Sequence, residues 1–260
     1  MTRAEQLKKR LLADETVLGC NVVMTEPAVS DLLGKAGCEF VWIDMEHGAI
    51  DYKDAMYHVI AAHAGGAAAI IRVPGNDPDM MKKVLDMGAD GIIYPLIRSA
   101  EEARQIIASC LYPPEGFRGF NPLGAANYGA ISQADYCANS KNSTLRIIMM
   151  EHIDAYRQLD EILAIPGLDG VMIGPSDLSG SMGKLLQRDD PEVAAIIEDT
   201  VKKCRAAGKF VGTALGCTVE PEAFARWQKV GIRMFSAGQE LDFLYSSVSR
   251  HLARIREKLG

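Results

Sequence analysis

Residues 82–95, KKVLDMGADGIIYP, run from a helix into a strand with only a few residues between them. Met81, Val84 and Leu85 recur at helical spacing, and Gly88 stops the helix where a left-handed cap is wanted. Gly91–Pro95 then reads as a strand that is β-branched and apolar without alternation, the pattern of a strand buried on both faces. A doubly buried strand reached from a helix by a short turn is the joint of a parallel α/β sheet.

The same unit repeats along the chain. The spacing predicts strands near Val17–Val23, Phe40–Asp44, Ala68–Val73, Gly91–Pro95, Arg146–Met150, Gly170–Gly174, Phe210–Ala214 and Met234–Ala237. It predicts intervening helices over Ala28–Lys35, Tyr52–Ala64, Pro78–Met87, Ala100–Leu111, Ala155–Ala164, Pro191–Ala207 and Pro221–Val230, with a last one over Asp242–Leu259. Eight such units in a 260-residue chain fit one closed (β/α)8 TIM barrel over 1–260. The rival is an open doubly wound sheet, which wants a glycine-rich nucleotide turn after its first strand; CNVVMTEP at 20–27 is not one. One stretch breaks the rhythm: YPPEGFRGFNPLGAANYGAIS, 112–132, reads as a long ordered surface loop.

Composition removes several functional classes. A net charge of −6 with no Lys/Arg block argues against nucleic acid. No apolar run approaches the roughly 20 residues that cross a bilayer, and the N-terminus reads as an amphipathic helix, not a signal peptide. Six scattered cysteines (20, 38, 110, 137, 204 and 217) without a C-x-x-C read as reduced thiols in a cytoplasmic protein.

In such barrels the active site gathers at the C-terminal ends of the strands. The second strand ends in Asp44, Glu46 and His47, the third in Arg72, the fifth in Glu151 and His152, and the sixth in Ser176 and Asp177. The fourth and eighth, ending YPLIRS and FSAGQE, carry little side-chain chemistry. Any one acid here is more often a helix cap or a solvated group, and a lone His more often a satisfied hydrogen-bonding residue. Arg72 is harder to dismiss, because arginine inside an apolar strand needs an anionic partner. Two carboxylates without a Cys or His cluster suit a hard divalent cation, Mg²⁺ or Mn²⁺. An adjacent arginine suits a small acid or its enolate, and a histidine moves protons. No lysine stands at a strand end to form a Schiff base: Lys82 and Lys83 lie in a helix, Lys209 precedes a strand, and Lys184 lies beyond Asp177.

WIDMEHG, IIRVPGNDP, KKVLDMGADGIIYPL, YPPEGFRG and GLDGVMIGPSDLSGSMG, in this order, resemble the HpcH/HpaI aldolase family of metal-dependent pyruvate aldolases. The resemblance implies a barrel, often hexameric as a trimer of dimers with an exchanged last helix, and reversible cleavage of a 4-hydroxy-2-oxo acid to pyruvate and an aldehyde. Position by position, it implies Glu151 and Asp177 as ligands of Mg²⁺, Mn²⁺ or Co²⁺, with no nucleotide. Arg72 would hold the pyruvate oxo group, and backbone amides at Ser176 and Asp177 its carboxylate. His47 paired with Asp86 would be the acid/base unit. Asp86 enters on resemblance alone, since the sequence pattern makes it a helix-surface acid. The chain departs from the family at Met149, where a glutamine is common, at His152, at Ser181, and in its first strand, which lacks the usual aromatic. Two other functions compete: a related lyase or decarboxylase of the citrate-lyase-β or macrophomate-synthase kind, and a non-catalytic barrel that binds an oxo acid.

Overall fold

The computed structural model describes residues 1–75, 77–215 and 220–260. Eight parallel strands close into a barrel in sequence order: β1 Val17–Val22, β2 Phe40–Asp44, β3 Ala68–Arg72, β4 Gly91–Tyr94, β5 Leu145–Met150, β6 Gly170–Ile173, β7 Phe210–Ala214 and β8 Met234–Gln239. Closure is completed by β8 pairing with β1, where Val17 aligns with Met234 and the register shifts between Gly19 and Asn21.

Helices α1 Arg3–Leu12, α2 Ala28–Lys35, α3 Tyr52–Gly65, α4 Pro78–Asp86 and α5 Ala100–Ser109 fall within a residue or two of the predicted positions. The spacing does not predict two elements here: a 3-10 turn at Asn127–Gly129, inside the long loop, and α6, Gln133–Asn139, started by Ser132, whose hydroxyl accepts from the Asp135 amide. The helix expected over Ala155–Ala164 is two, α7 Ile153–Arg157 and α8 Leu159–Leu163, broken at Gln158 (φ −110°). Unforeseen too was α9, Pro175–Ser181, which follows β6 directly. The chain continues through α10 Pro191–Ala206, α11 Pro221–Val230 and α12 Glu240–Leu259. Cys217 lies outside the described residues; Cys20, Cys38, Cys110, Cys137 and Cys204 are free thiols.

Strand side chains alternate in direction, so every second residue points into the barrel. The lower interior is apolar: Phe40 and Trp42, Ala68 and Ile70, Leu145, Ile147 and Met149, with Met172, Phe210 and Met234. Ala4, Leu7 and Leu11 of α1 join this cluster and plug the end where the strands begin. Large rings fit because small residues face them. A Cβ on Gly19 would lie 2.6 Å from the Phe40 ring.

Continuing the same alternation upward changes the chemistry. Two residues after Trp42 comes Asp44, two after Ile70 comes Arg72, and two after Met149 comes Glu151. All three are buried polar groups in an otherwise apolar tube.

The last helix departs from the barrel plan. Leu241, Leu244, Tyr245, Val248, Leu252, Ile255 and Leu259 are exposed at helical spacing, and Glu240 is its only buried residue. Glu240 fixes the start of α12, accepting from the amides of Val23 and Met24 at 2.7 Å.

Candidate active site

The site is built around one guanidinium. Arg72, 7% exposed, donates through Nε to Asp44 Oδ1 at 3.0 Å and through Nη2 to Asp44 Oδ2 at 2.5 Å. Its Nη1 lies 2.9 Å from Glu46 Oε2 and 3.7 Å from the Met149 sulfur, and the group sits 5.1 Å above the Trp42 ring. A bidentate carboxylate, a second carboxylate and an aromatic floor leave it little freedom. Asp44 also shapes the turn beyond β2, accepting from the amides of Glu46 and His47 at 3.0 and 3.3 Å. Asp44 and Glu46 are therefore the groups that aim Arg72.

Glu151 stands across the barrel mouth, 3% exposed. Its Oε1 accepts from the backbone amide of Leu96 at 2.6 Å. Leu96 has φ +52°, a left-handed conformation that a γ-branched residue adopts only at a cost. The strained turn after β4 thus presents its N–H to the carboxylate. On the other side, a Cβ at Gly174 would come within 2.5 Å of Glu151 Oε2, so only glycine leaves the carboxylate its place. Burial pushes the Glu151 carboxyl up to about 7, the charges of Asp177 and Glu46 add to the rise, and the Leu96 amide and Arg72 oppose it. Glu46 is also raised, chiefly by burial, with Asp177 among the charges acting on it. Asp177 is exposed in the first turn of α9 and Ser176 beside it is half-buried.

Four carboxylates, Asp44, Glu46, Glu151 and Asp177, therefore gather at this end of the barrel. Two of them are spent on Arg72. Glu151 and Asp177 remain, and burial with the nearby negative charges disfavours ionisation of Glu151. Oxygen donors of this kind fit Mg²⁺ or Mn²⁺. Among the described residues no three His, Cys, Asp or Glu side chains converge on one point. The protein would thus supply two ligands, and water or substrate oxygens the rest, which is how Mg²⁺ is commonly held.

The remaining expected residues divide. His47 follows β2 with its side chain 68% exposed, Nε2 3.9 Å from Glu46 Oε2. Asp86 ends α4, before β4 begins, and so belongs to the opposite end of the barrel from His47. Its Oδ1 accepts from Arg118 Nη2 at 2.6 Å, burial raises its carboxyl while Arg118 opposes the rise, and its carbonyl accepts from the Gly124 amide. The expected pairing of His47 with Asp86 therefore does not occur within one chain. The long loop is what intervenes: it delivers Arg118, 6% exposed, to Asp86. His152 caps α7, its Nδ1 accepting from the Asp154 amide at 3.2 Å, and Ser181 accepts from the Ile153 amide at 3.0 Å. Both departures from the family pattern are thus helix-start contacts.

Three contributors escaped the sequence. Leu96 works through its backbone, which no residue pattern reveals. Asn21 and Ser236, hydrogen-bonded to each other from hydroxyl to amide oxygen, line a cavity of about 230 Å³ that Ser176 borders. The eighth strand end, read as poor in chemistry, is part of that cavity.

The model of the HpcH/HpaI aldolase/citrate lyase family matches residues 18–241. A hydroxypyruvate/pyruvate aldolase of Roseobacter denitrificans is 37% identical over 79% of this chain and 80% of its own. A 5-keto-4-deoxy-D-glucarate aldolase of Escherichia coli is 30% identical over 94% of each. The crystal structure of the citrate synthase SbnG superposes with a TM-score of 0.86 at 30% identity, covering 97% of this chain and 98% of that one. The chain belongs to the HpcH/HpaI aldolase/citrate lyase family of carbon–carbon lyases.

Proposed function

We propose that this protein is a class II aldolase that reversibly cleaves a 4-hydroxy-2-oxo acid to pyruvate and an aldehyde. The observation that carries this reading is Arg72, locked by Asp44 and Glu46 and facing the Glu151–Asp177 pair at the barrel mouth. Arg72 would hold the 2-oxo oxygen, with part of its donor fork free to strengthen its bond as negative charge grows there. Amides at Ser176 and Asp177 would take the carboxylate. Glu151 and Asp177 would hold a divalent cation, which supplies Lewis-acid charge beside the developing enolate. His47 would accept the 4-hydroxyl proton. The C3–C4 bond then breaks, its electron pair passes into the enolate, and protonation at C3 gives pyruvate.

His47 and Asp86 could act together only between two copies of the chain. The uncovered apolar stripe of α12 supports association, in line with an exchanged last helix and a trimer of dimers. The free thiols support a reducing, cytoplasmic setting; among the described residues no helix is long and apolar enough to cross a membrane.

The rival is a related lyase of the citrate-lyase-β or macrophomate-synthase kind. The test is condensation: pyruvate, Mg²⁺ or Mn²⁺ and a panel of short aldehydes, with product followed by mass. A 4-hydroxy-2-oxo acid should form with at least one aldehyde. No product with any of them, alongside turnover of an acyl-CoA or a β-oxo acid, would favour the rival.

A further inference from the structure

Away from the barrel mouth's charges, the fold brings two thiols together. Cys20 is in β1; its neighbours Gly19 and Asn21 face the barrel, so its side chain points outward, into the apolar layer that Leu33 of α2 also enters. Cys38 follows α2, where Gly37 (φ +104°) turns the chain toward β2, and it packs partly buried against the same layer. The two sulfurs are hydrogen-bonded at 3.5 Å. Backbone contacts hold both sides of this meeting. The Cys38 amide donates to the Leu33 carbonyl at 3.0 Å, the Glu39 amide donates to that of Leu18 at 2.8 Å, and Cys20 aligns with Val41 in the β1–β2 ladder. Closure to the disulfide distance of about 2.05 Å is a short further step.

The two thiols differ as a nucleophile and its resolving partner must. Cys20 is buried, whereas Cys38 is half-buried and open to solvent. The hydrogen bond from Cys20 holds the Cys38 thiol below its ordinary value, with burial and the charge of Glu39 opposing. The same bond, burial and the charges of Cys38 and Glu240 hold Cys20 well above it. The thiolate therefore forms at Cys38, the sulfur that an oxidant reaches. Burial pushes Cys110 and Cys204 up to about 11 and about 12, and Cys137 stands exposed on α6. Among the described residues no other two thiols are hydrogen-bonded.

We infer that Cys20 and Cys38 form a reversible redox site that takes a small hydroperoxide. The Cys38 thiolate attacks one peroxide oxygen, the O–O bond breaks, and hydroxide leaves, with Cys38 now a sulfenic acid. The Cys20 sulfur then attacks the Cys38 sulfur and gives up its proton, while the S–O bond breaks and water leaves. Two thiols and one hydrogen peroxide give one disulfide and two waters; the thiols are oxidised and the peroxide is reduced. The bridge closes residues 21–37 into a loop that ties α2 to β1, and a dithiol reductant reopens it.

The test exposes the full chain to stoichiometric hydrogen peroxide, alkylates the remaining thiols under denaturing conditions, and maps a tryptic digest by mass. Cleavage after Lys35 separates the two cysteines, so a bridge shows as a linked pair of peptides. The wild type should lose both thiols together, with the Cys20–Cys38 pair as the main product, and a dithiol should restore them. Cys20→Ser should leave Cys38 as a sulfenic acid that dimedone captures, and Cys38→Ser should leave Cys20 unoxidised. Cys38 reaching a sulfenic or sulfinic acid in the wild type without the linked pair would overturn the assignment. So would oxidation of Cys137 while Cys20 and Cys38 remain thiols.

Discussion

Arg72 and Asp44 face each other on neighbouring strands, aligned in register, with two N–H groups of one meeting two oxygens of the other. Neither is accessible, so the pair is set by the barrel and not by solvent. Its value to function is direction: Asp44 anchors the Nε edge of the guanidinium and leaves Nη1 turned toward Glu46, Met149 and the mouth.

Removing Asp44 should therefore harm both stability and activity. Asp44→Asn leaves Arg72 buried with one remaining acid and should cost about 3 kcal/mol, read as a lowered denaturation midpoint. Glu46→Gln should cost less stability, since Asp44 still holds the arginine, yet lower kcat by loosening Nη1. Equal stability losses in the two variants would contradict this division.

Gly174→Ala tests the cradle of Glu151. The added methyl would meet Oε2 at 2.5 Å and Cβ at 2.9 Å, so the carboxylate must move off the Leu96 amide. The expected result is a folded protein, at a cost of roughly 1–3 kcal/mol, with divalent-cation affinity at least tenfold weaker by calorimetry. Wild-type affinity in a well-folded variant would mean that Glu151 is not a ligand.

His58 gives a pH dependence apart from the mouth. It is fully buried in α3, Nδ1 2.8 Å from Ser30 Oγ, and burial lowers its pKa, with the charges of Asp54 and Glu26 and a bond involving the Met24 backbone opposing. Below about pH 6.5 the unfolded imidazole takes up a proton that the folded one refuses. Its stabilisation is thus complete above that pH and is lost as the pH falls toward the lower folded value. The slope is at most about 1.4 kcal/mol per pH unit. Urea midpoints between pH 7 and pH 5 should fall more steeply for the wild type than for His58→Gln; parallel curves would refute the assignment.

The sequence disclosed the barrel because each strand is apolar on both faces and each joint carries its own stop signal, as 82–95 does. It disclosed Arg72 and Glu151 for the same reason: charges stand out inside period-two apolar runs. It could not disclose Leu96, whose contribution is an amide set by a left-handed backbone, nor Asn21 and Ser236, which lie 215 positions apart and meet only when the barrel closes. Asp86 shows the opposite failure. A family motif brought it to notice, but its position below β4, bound to Arg118, separates it from His47 in the same chain.

That separation makes a complementation result specific. If His47 of one copy works with Asp86 of another, co-expressed His47→Gln and Asp86→Asn chains should assemble some intact sites. Random association of equal amounts gives about a quarter of wild-type activity, while each variant alone gives little. No recovery in a mixed oligomer would show that the two residues do not form a shared unit.

We propose that Glu151 and Asp177 hold the divalent cation that aldol cleavage needs. The most direct test is pyruvate release from a 4-hydroxy-2-oxo acid after exhaustive chelation, and again after Mg²⁺ or Mn²⁺ is restored, in the wild type and in Glu151→Gln. The expected result is loss of turnover on chelation and recovery with the metal in the wild type alone. Undiminished turnover without metal, or full recovery in Glu151→Gln, would contradict the account.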